Sequence, residues 1–172
     1  MKQERNQVGA SLNRRTQWAA LACYLALSAA GHLVWEVFQL PLYTIWQTES
    51  SEDLIVAIVH CTIGDVMIAL SAMLVSVFLW RSQIWPTDLY WQVALTAVFI
   101  GVVYTGFSEW FNVYIRQSWQ YANSMPVFNI LGYDLGLSPL AQWIVVPGLV
   151  FLVLHRLNQV NAIGKVNRDD GD

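Results

Sequence analysis

Residues 17–40 read QWAALACYLALSAAGHLVWEVFQL, an apolar run of 24 residues whose one charged side chain is Glu36. Roughly 20 apolar residues suffice for a helix to cross a hydrocarbon core. The run is longer than the h-region of a signal peptide, roughly 7 to 15 residues, so Lys2, Arg5, Arg14 and Arg15 are read as the flank of a retained first span. Pro41 stops it, because proline supplies no backbone N–H to the next turn.

Working outward, three more runs of this kind are expected to be helical, at 54–80, 89–114 and 138–157. Ser138 and Pro139 form a helix start, an N-cap followed by proline at the first helical position, and Pro147 falls inside the fourth run. The expected fold class is therefore all-α: an integral membrane helical bundle of four transmembrane helices, one domain over 1–172 with polar tails at 1–16 and 158–172. Composition agrees, since 12% of residues are charged where a soluble domain has about 25%. Between the third and fourth spans, 115–137 is too long and apolar for a plain loop. It is expected to re-enter the bundle or lie in the interface, as a lid or as a surface segment without function.

If both ends share one side, that side collects Lys2, Arg5, Arg14, Arg15, Arg81, Arg156, Lys165 and Arg168, leaving Arg116 opposite. The positive-inside rule then puts both termini in the cytoplasm of a bacterial inner membrane. Trp18, Trp80, Trp85, Tyr90 and Trp91 would form the inner aromatic belt, and Tyr43, Trp46, Trp110, Tyr114 and Trp119 the outer one. The lipid bilayer is the expected partner, a homo-oligomer is compatible with the small size, and no basic patch points to nucleic acid. Cys23 and Cys61 lack CxxC spacing, and no phosphate-binding loop, dinucleotide fingerprint or HExxH is present.

Function is sought in the polar residues inside the spans, because a carboxylate in hydrocarbon costs roughly 2.5 to 3.5 kcal/mol on insertion scales. Glu36, Asp65 and Glu109 are three such acids. His32, Glu36 and Gln39 share one helical face, and Thr105, Glu109, Asn112 and Arg116 form a second stripe. Counting the helical rise puts His32 and His60 both about 9 Å below the outer boundary and Asp65 deeper, roughly 16 Å down. The count pairs Glu36 with Glu109 within reach of Arg116 and sets Asp65 apart.

Three chemistries fit this set. Proton donors and acceptors among His32, Glu36, His60, Asp65 and Glu109 could act on a lipid-like small molecule entering between helices, with Trp35, Trp110 and Trp143 stabilising a cationic intermediate. Gln39, Asn112, Arg116, Trp119, Tyr121 and Gln142 complete the candidate substrate contacts. His32 and Glu36 could instead hold a metal with His60, Cys61, Asp65 or Glu109, or His32 and His60 a haem. Intramembrane acids also relay protons or bind cations in transporters. The residues name no cofactor, and an assembly subunit without chemistry is a fourth alternative.

His32-Leu-Val-Trp-Glu36, Gly64-Asp65-Val66 and Trp143-Ile-Val-Val-Pro147 resemble, in a different order, short elements of the EXPERA family, which includes the emopamil-binding sterol isomerase. That resemblance implies a small helical membrane bundle in which His32 and Glu36 move protons on a sterol and Trp143 lines the cavity. Trp35-Glu36, Gln39-Leu-Pro-Leu-Tyr43, Gly64-Asp65-Val66, Trp119-Gln-Tyr121, Met125-Pro126 and Gly136-Leu-Ser-Pro-Leu140 with Gln142-Trp143 are similar to an uncharacterised family of small bacterial polytopic inner-membrane proteins. This second resemblance implies topology and no activity.

Overall fold

The computed structural model describes residues 2–82 and 84–169, with side chains over 15–82 and 84–159. Four long helices form an up-and-down bundle: α1 (Lys2–Gln39), α3 (Ser51–Trp80), α4 (Tyr90–Trp110) and α5 (Leu137–Asp169), with a one-turn helix α2 (Ile45–Thr48) between the first two. They contain apolar stretches long enough to cross a membrane at Arg15–Leu42, Ser51–Trp80, Tyr90–Ile115 and Leu137–Gln159. The chain is a multi-pass membrane protein of the all-α class.

Local chemistry sets the helix ends. Pro41 turns the end of α1 into the 3-10 turn Leu40–Leu42. Ser50 caps α3, its hydroxyl accepting from the Asp53 amide at 3.2 Å, and Glu52 and Asp53 complement the positive end of that helix. At the other end of α3, Arg81 takes the left-handed conformation. Helix α4 continues into a π-helical turn, Phe111–Ile115, with Arg116 just beyond it.

Each helix packs on two neighbours, in the order α1, α3, α4, α5 and back to α1. The terminal half of the bundle, named for the chain ends it carries, is filled by Tyr24, Met73, Val93, Val150 and Phe151. Phe38, Phe78, Leu95 and Phe99 are exposed on the outside, where lipid replaces water. Trp18 and Trp91 are exposed, but Trp85 and Tyr90 are buried and stacked on each other, so these two belong to the core.

The connection 115–137 does not re-enter as a helix. Its first part crosses the end of α1, where the Thr44 amide donates to the Gln120 carbonyl at 3.0 Å and the Ala122 amide to the Leu42 carbonyl at 2.9 Å. It then forms an antiparallel hairpin of β1 (Val127–Ile130) and β2 (Tyr133–Gly136). The two-residue turn, Leu131 and Gly132, has positive φ at both positions, the backbone that matches strand twist in tight hairpins. Tyr114 holds the hairpin to the bundle, its hydroxyl accepting from the Asp134 amide at 2.8 Å and donating to the Asp134 carbonyl at 3.0 Å.

Candidate functional site

The buried polar residues gather in the half of the bundle nearest the hairpin. His32, Glu36 and Gln39 from α1, Asp65 from α3, Thr105 and Glu109 from α4 and Gln142 from α5 are all buried. Helical side chains lean toward the N-terminus of their own helix. Because α1 and α4 run toward the hairpin while α3 and α5 run away from it, their side chains lean into one another, and residues at different depths along the backbone meet.

Asp65 is therefore not set apart. Its Oδ2 lies 3.4 Å from His32 Nδ1 and accepts from Gln142 Nε2 at 2.9 Å. The same amide nitrogen donates to Glu36 Oε1 at 3.1 Å and lies 2.9 Å from His32 Nδ1. Gln39 Nε2 donates to Glu36 Oε1 at 2.7 Å and to Gln142 Oε1 at 3.1 Å. Helix α5 begins one residue before Ser138, so that side chain does not cap it. Instead its hydroxyl donates to Gln39 Oε1 at 3.0 Å and accepts from Trp35 Nε1 at 3.3 Å.

Hydrogen counting shows what is unusual here. An amide nitrogen carries two hydrogens. Gln142 Nε2 faces three acceptors, on Glu36, Asp65 and His32. Gln142 Nε2 therefore cannot donate to all three at once, and one of the three acceptors is left without a hydrogen from this amide.

Glu109 sits differently. Tyr121 donates to its Oε2 at 2.6 Å and Tyr43 approaches the same oxygen at 3.4 Å. Tyr121 in turn accepts from the Gly136 amide at 2.9 Å, which ties the acid to the end of the hairpin. Burial raises both phenols above their ordinary pKa, and the Glu109 carboxyl raises them further, so both stay protonated donors at neutral pH. Glu109 is paired neither with Glu36 nor, among the described residues, with Arg116, which follows the π-helical turn and is exposed.

A cavity of about 830 Å³ joins these groups. Glu36, Asp65, Glu109 and Gln142 form one wall, and Ile68, Ala72, Val75 and Ile100 extend it toward the terminal half. Met67, Val75 and Tyr104 line it and are also exposed on the outer surface, so the gap between α3 and α4 opens sideways to lipid. His60, Asn112, Arg116 and Trp119 stand nearer its hairpin end. Asn112 donates back to the Ser108 carbonyl at 2.8 Å, and His60 makes no hydrogen bond among the described residues.

Trp143 packs on His32 with ring centres 4.8 Å apart. It fits because residue 101 is glycine: a Cβ there would lie 2.1 Å from the Trp143 ring. Trp35 does not face this cavity. It lines a separate apolar groove of about 730 Å³ between α1 and α5.

Sequence reasoning missed Tyr43, Ser138 and Gly101. Tyr43 continues the spacing of Glu36 and Gln39 and was legible as a site residue; Ser138 was hidden by its resemblance to a cap. Gly101 carried no signal, since its role depends on a ring from another helix. Among the described residues, no three His, Cys, Asp or Glu side chains come together as a metal site. No protein-family model, curated protein or solved structure matches the chain.

Proposed function

We propose that this protein is an inner-membrane enzyme that moves protons on an apolar, lipid- or isoprenoid-like substrate, with both termini in the cytoplasm. The observation that carries this reading is the cavity itself: an acid pair bridged by one amide, on the wall of a space that is mostly apolar toward the terminal half and opens to lipid between α3 and α4. A substrate dissolved in the bilayer reaches such a site without crossing water. Glu36 and Asp65 are the groups that give up and take the proton, and His32 supplies the hydrogen that Gln142 cannot. Glu109, held by two phenols, is a fixed carboxyl on the same cavity, and Trp143 offers a ring face to positive charge that develops on the substrate.

The test is solvent deuterium. Purified protein incubated in D₂O with lipids extracted from its own host should introduce deuterium into an unsaturated apolar species, read by mass spectrometry, and Asp65→Asn and Glu36→Gln should not. Equal incorporation by wild type and both variants, or none by wild type, contradicts the proposal. Orientation is checked by labelling single-cysteine variants near Arg15 and Leu131 in intact cells, where the impermeant reagent should reach only the second.

A further inference from the structure

Tyr24, Ser28, His32 and Glu36 recur every four residues and so form one line along α1. Tyr24, Ser28 and His32 are 1%, 0% and 0% exposed, and Glu36 is 6% exposed. Over about 18 Å of helix this line lies inside the bundle. Its hairpin end is the acid site; the part at Ser28 and Tyr24 has no role in the chemistry described above.

Two buried atoms on this line have no hydrogen-bond partner, Ser28 Oγ and His32 Nε2. The His32 ring leans back over the turn that carries Ser28. Its Nδ1 edge meets Asp65 and Gln142, which leaves the Nε2 edge for the other side. Two unpartnered polar atoms one turn apart, both shut off from the membrane, are the setting in which proteins hold a buried water. One turn further on, the Tyr24 hydroxyl donates to the Ala69 carbonyl at 3.4 Å.

The line ends against Phe151, which is 1% exposed and whose ring centre is 5.2 Å from that of Tyr24. Beyond Phe151 lies Tyr90, at 6.1 Å, and Tyr90 packs on His155 at 5.1 Å. His155 is partly exposed near the terminal face, where Gln159 lies 3.1 Å from its Nε2. Polar groups thus approach the acid pair from the terminal face and are interrupted by the Phe151 ring.

We propose that Tyr24, Ser28 and His32 form a proton path from the terminal face to Asp65, with a water bound between Ser28 and His32 and with Phe151 as its plug. In the transfer step a proton from this water bonds to the lone pair of His32 Nε2 as the Ser28 hydroxyl returns one to the water and is itself reprotonated along the line from the terminal face, while the Nδ1–H bond breaks and its proton passes to Asp65 Oδ2. One proton enters and one leaves the ring, which stays neutral, and the Asp65 carboxylate becomes a carboxylic acid. Nδ1 is then free to accept from Gln142 Nε2, a contact already in place at 2.9 Å. The path rests on the acid–base reading for its destination, and gives that site a way to replace a proton passed to substrate.

Proteoliposomes loaded with a pH-sensitive dye test it under an imposed potassium diffusion potential. Phe151→Ala should raise proton flux at least several-fold over wild type, and Phe151→Leu, which keeps an apolar side chain if the alanine variant does not fold, should raise it less. Adding Ser28→Ala or His32→Leu to either should return the flux to the wild-type rate. Wild-type flux in the folded Phe151 variants overturns the path, as does excess flux that survives removal of Ser28 and His32. Solvent deuterium incorporation separates the two readings: if it persists while the excess flux fails to appear, the path falls and the enzyme stands, and the opposite pair of results keeps the path and removes the enzyme.

Discussion

Among the described residues, two hollows of similar size, about 730 Å³ between α1 and α5 and about 830 Å³ between α3 and α4, are not told apart by size. Their polar groups do. In the first, the Trp35 indole N–H donates to Ser138, whose hydroxyl donates to Gln39, so the wall is satisfied and the remaining lining is apolar. In the second, two carboxyls and an imidazole compete for the two hydrogens of one amide. Gln39 lies on the walls of both, so the two environments are separated by little more than one side chain. A groove that only meets lipid needs no competing acceptors, and the proposed acid–base site rests on that competition in the second hollow.

The contrast breaks most readily through its acids. Asp65→Asn keeps the shape of the α3–α4 cavity and removes a proton acceptor, so solvent deuterium incorporation should fall by about 10²- to 10⁴-fold, the range ascribed to a single acid–base group. Leu149→Trp, which fills the α1–α5 groove, should leave it unchanged; equal losses in the two variants would erase the distinction between the hollows.

Stability gives the next effects. Gln142→Leu removes the donor shared by Glu36, Asp65 and His32 and should cost about 1–3 kcal/mol for each group left without a partner, read as a lower thermal unfolding midpoint in detergent. If the midpoint does not move, the amide is not the keystone of the cluster. Gly101→Ala forces the Trp143 ring aside and should cost about 1–3 kcal/mol. Gly148→Ala is its control: a Cβ there meets nothing within 4 Å, and the change should stabilise α5 by about 0.5–1 kcal/mol. The smallest effect expected is local. Tyr121→Phe cuts the link from Glu109 to the Gly136 amide, so that amide should exchange with D₂O faster while global stability moves by about 1 kcal/mol.

The helices were legible because apolar runs and the terminator Pro41 lie in the local sequence. The hairpin was less so, since Leu131 in a left-handed turn goes against the preference of that backbone for glycine or asparagine. Within the site, the line from His32 to Gln39 could be read from its spacing, and the same spacing extends to Tyr24 and Ser28. Counting backbone depth misplaced Asp65, because it ignores the opposed lean of side chains on antiparallel helices. The pairing of Arg116 with an acid is not seen among the described residues: Arg116 lies just past a π-helical turn that the residue pattern does not show, and it is exposed. Gln142 as the shared donor and Gly101 as the seat of Trp143 depend on contacts between helices, which periodicity along one helix does not encode.

Native mass spectrometry of the protein released from its own membranes tests most directly whether the α3–α4 cavity receives the apolar substrate. Wild type should carry a bound apolar species, Leu149→Trp should retain it, and Ser71→Trp, which places a ring in the α3–α4 cavity, should lose it. A species kept by Ser71→Trp and lost from Leu149→Trp would place the ligand in the other hollow and contradict the account.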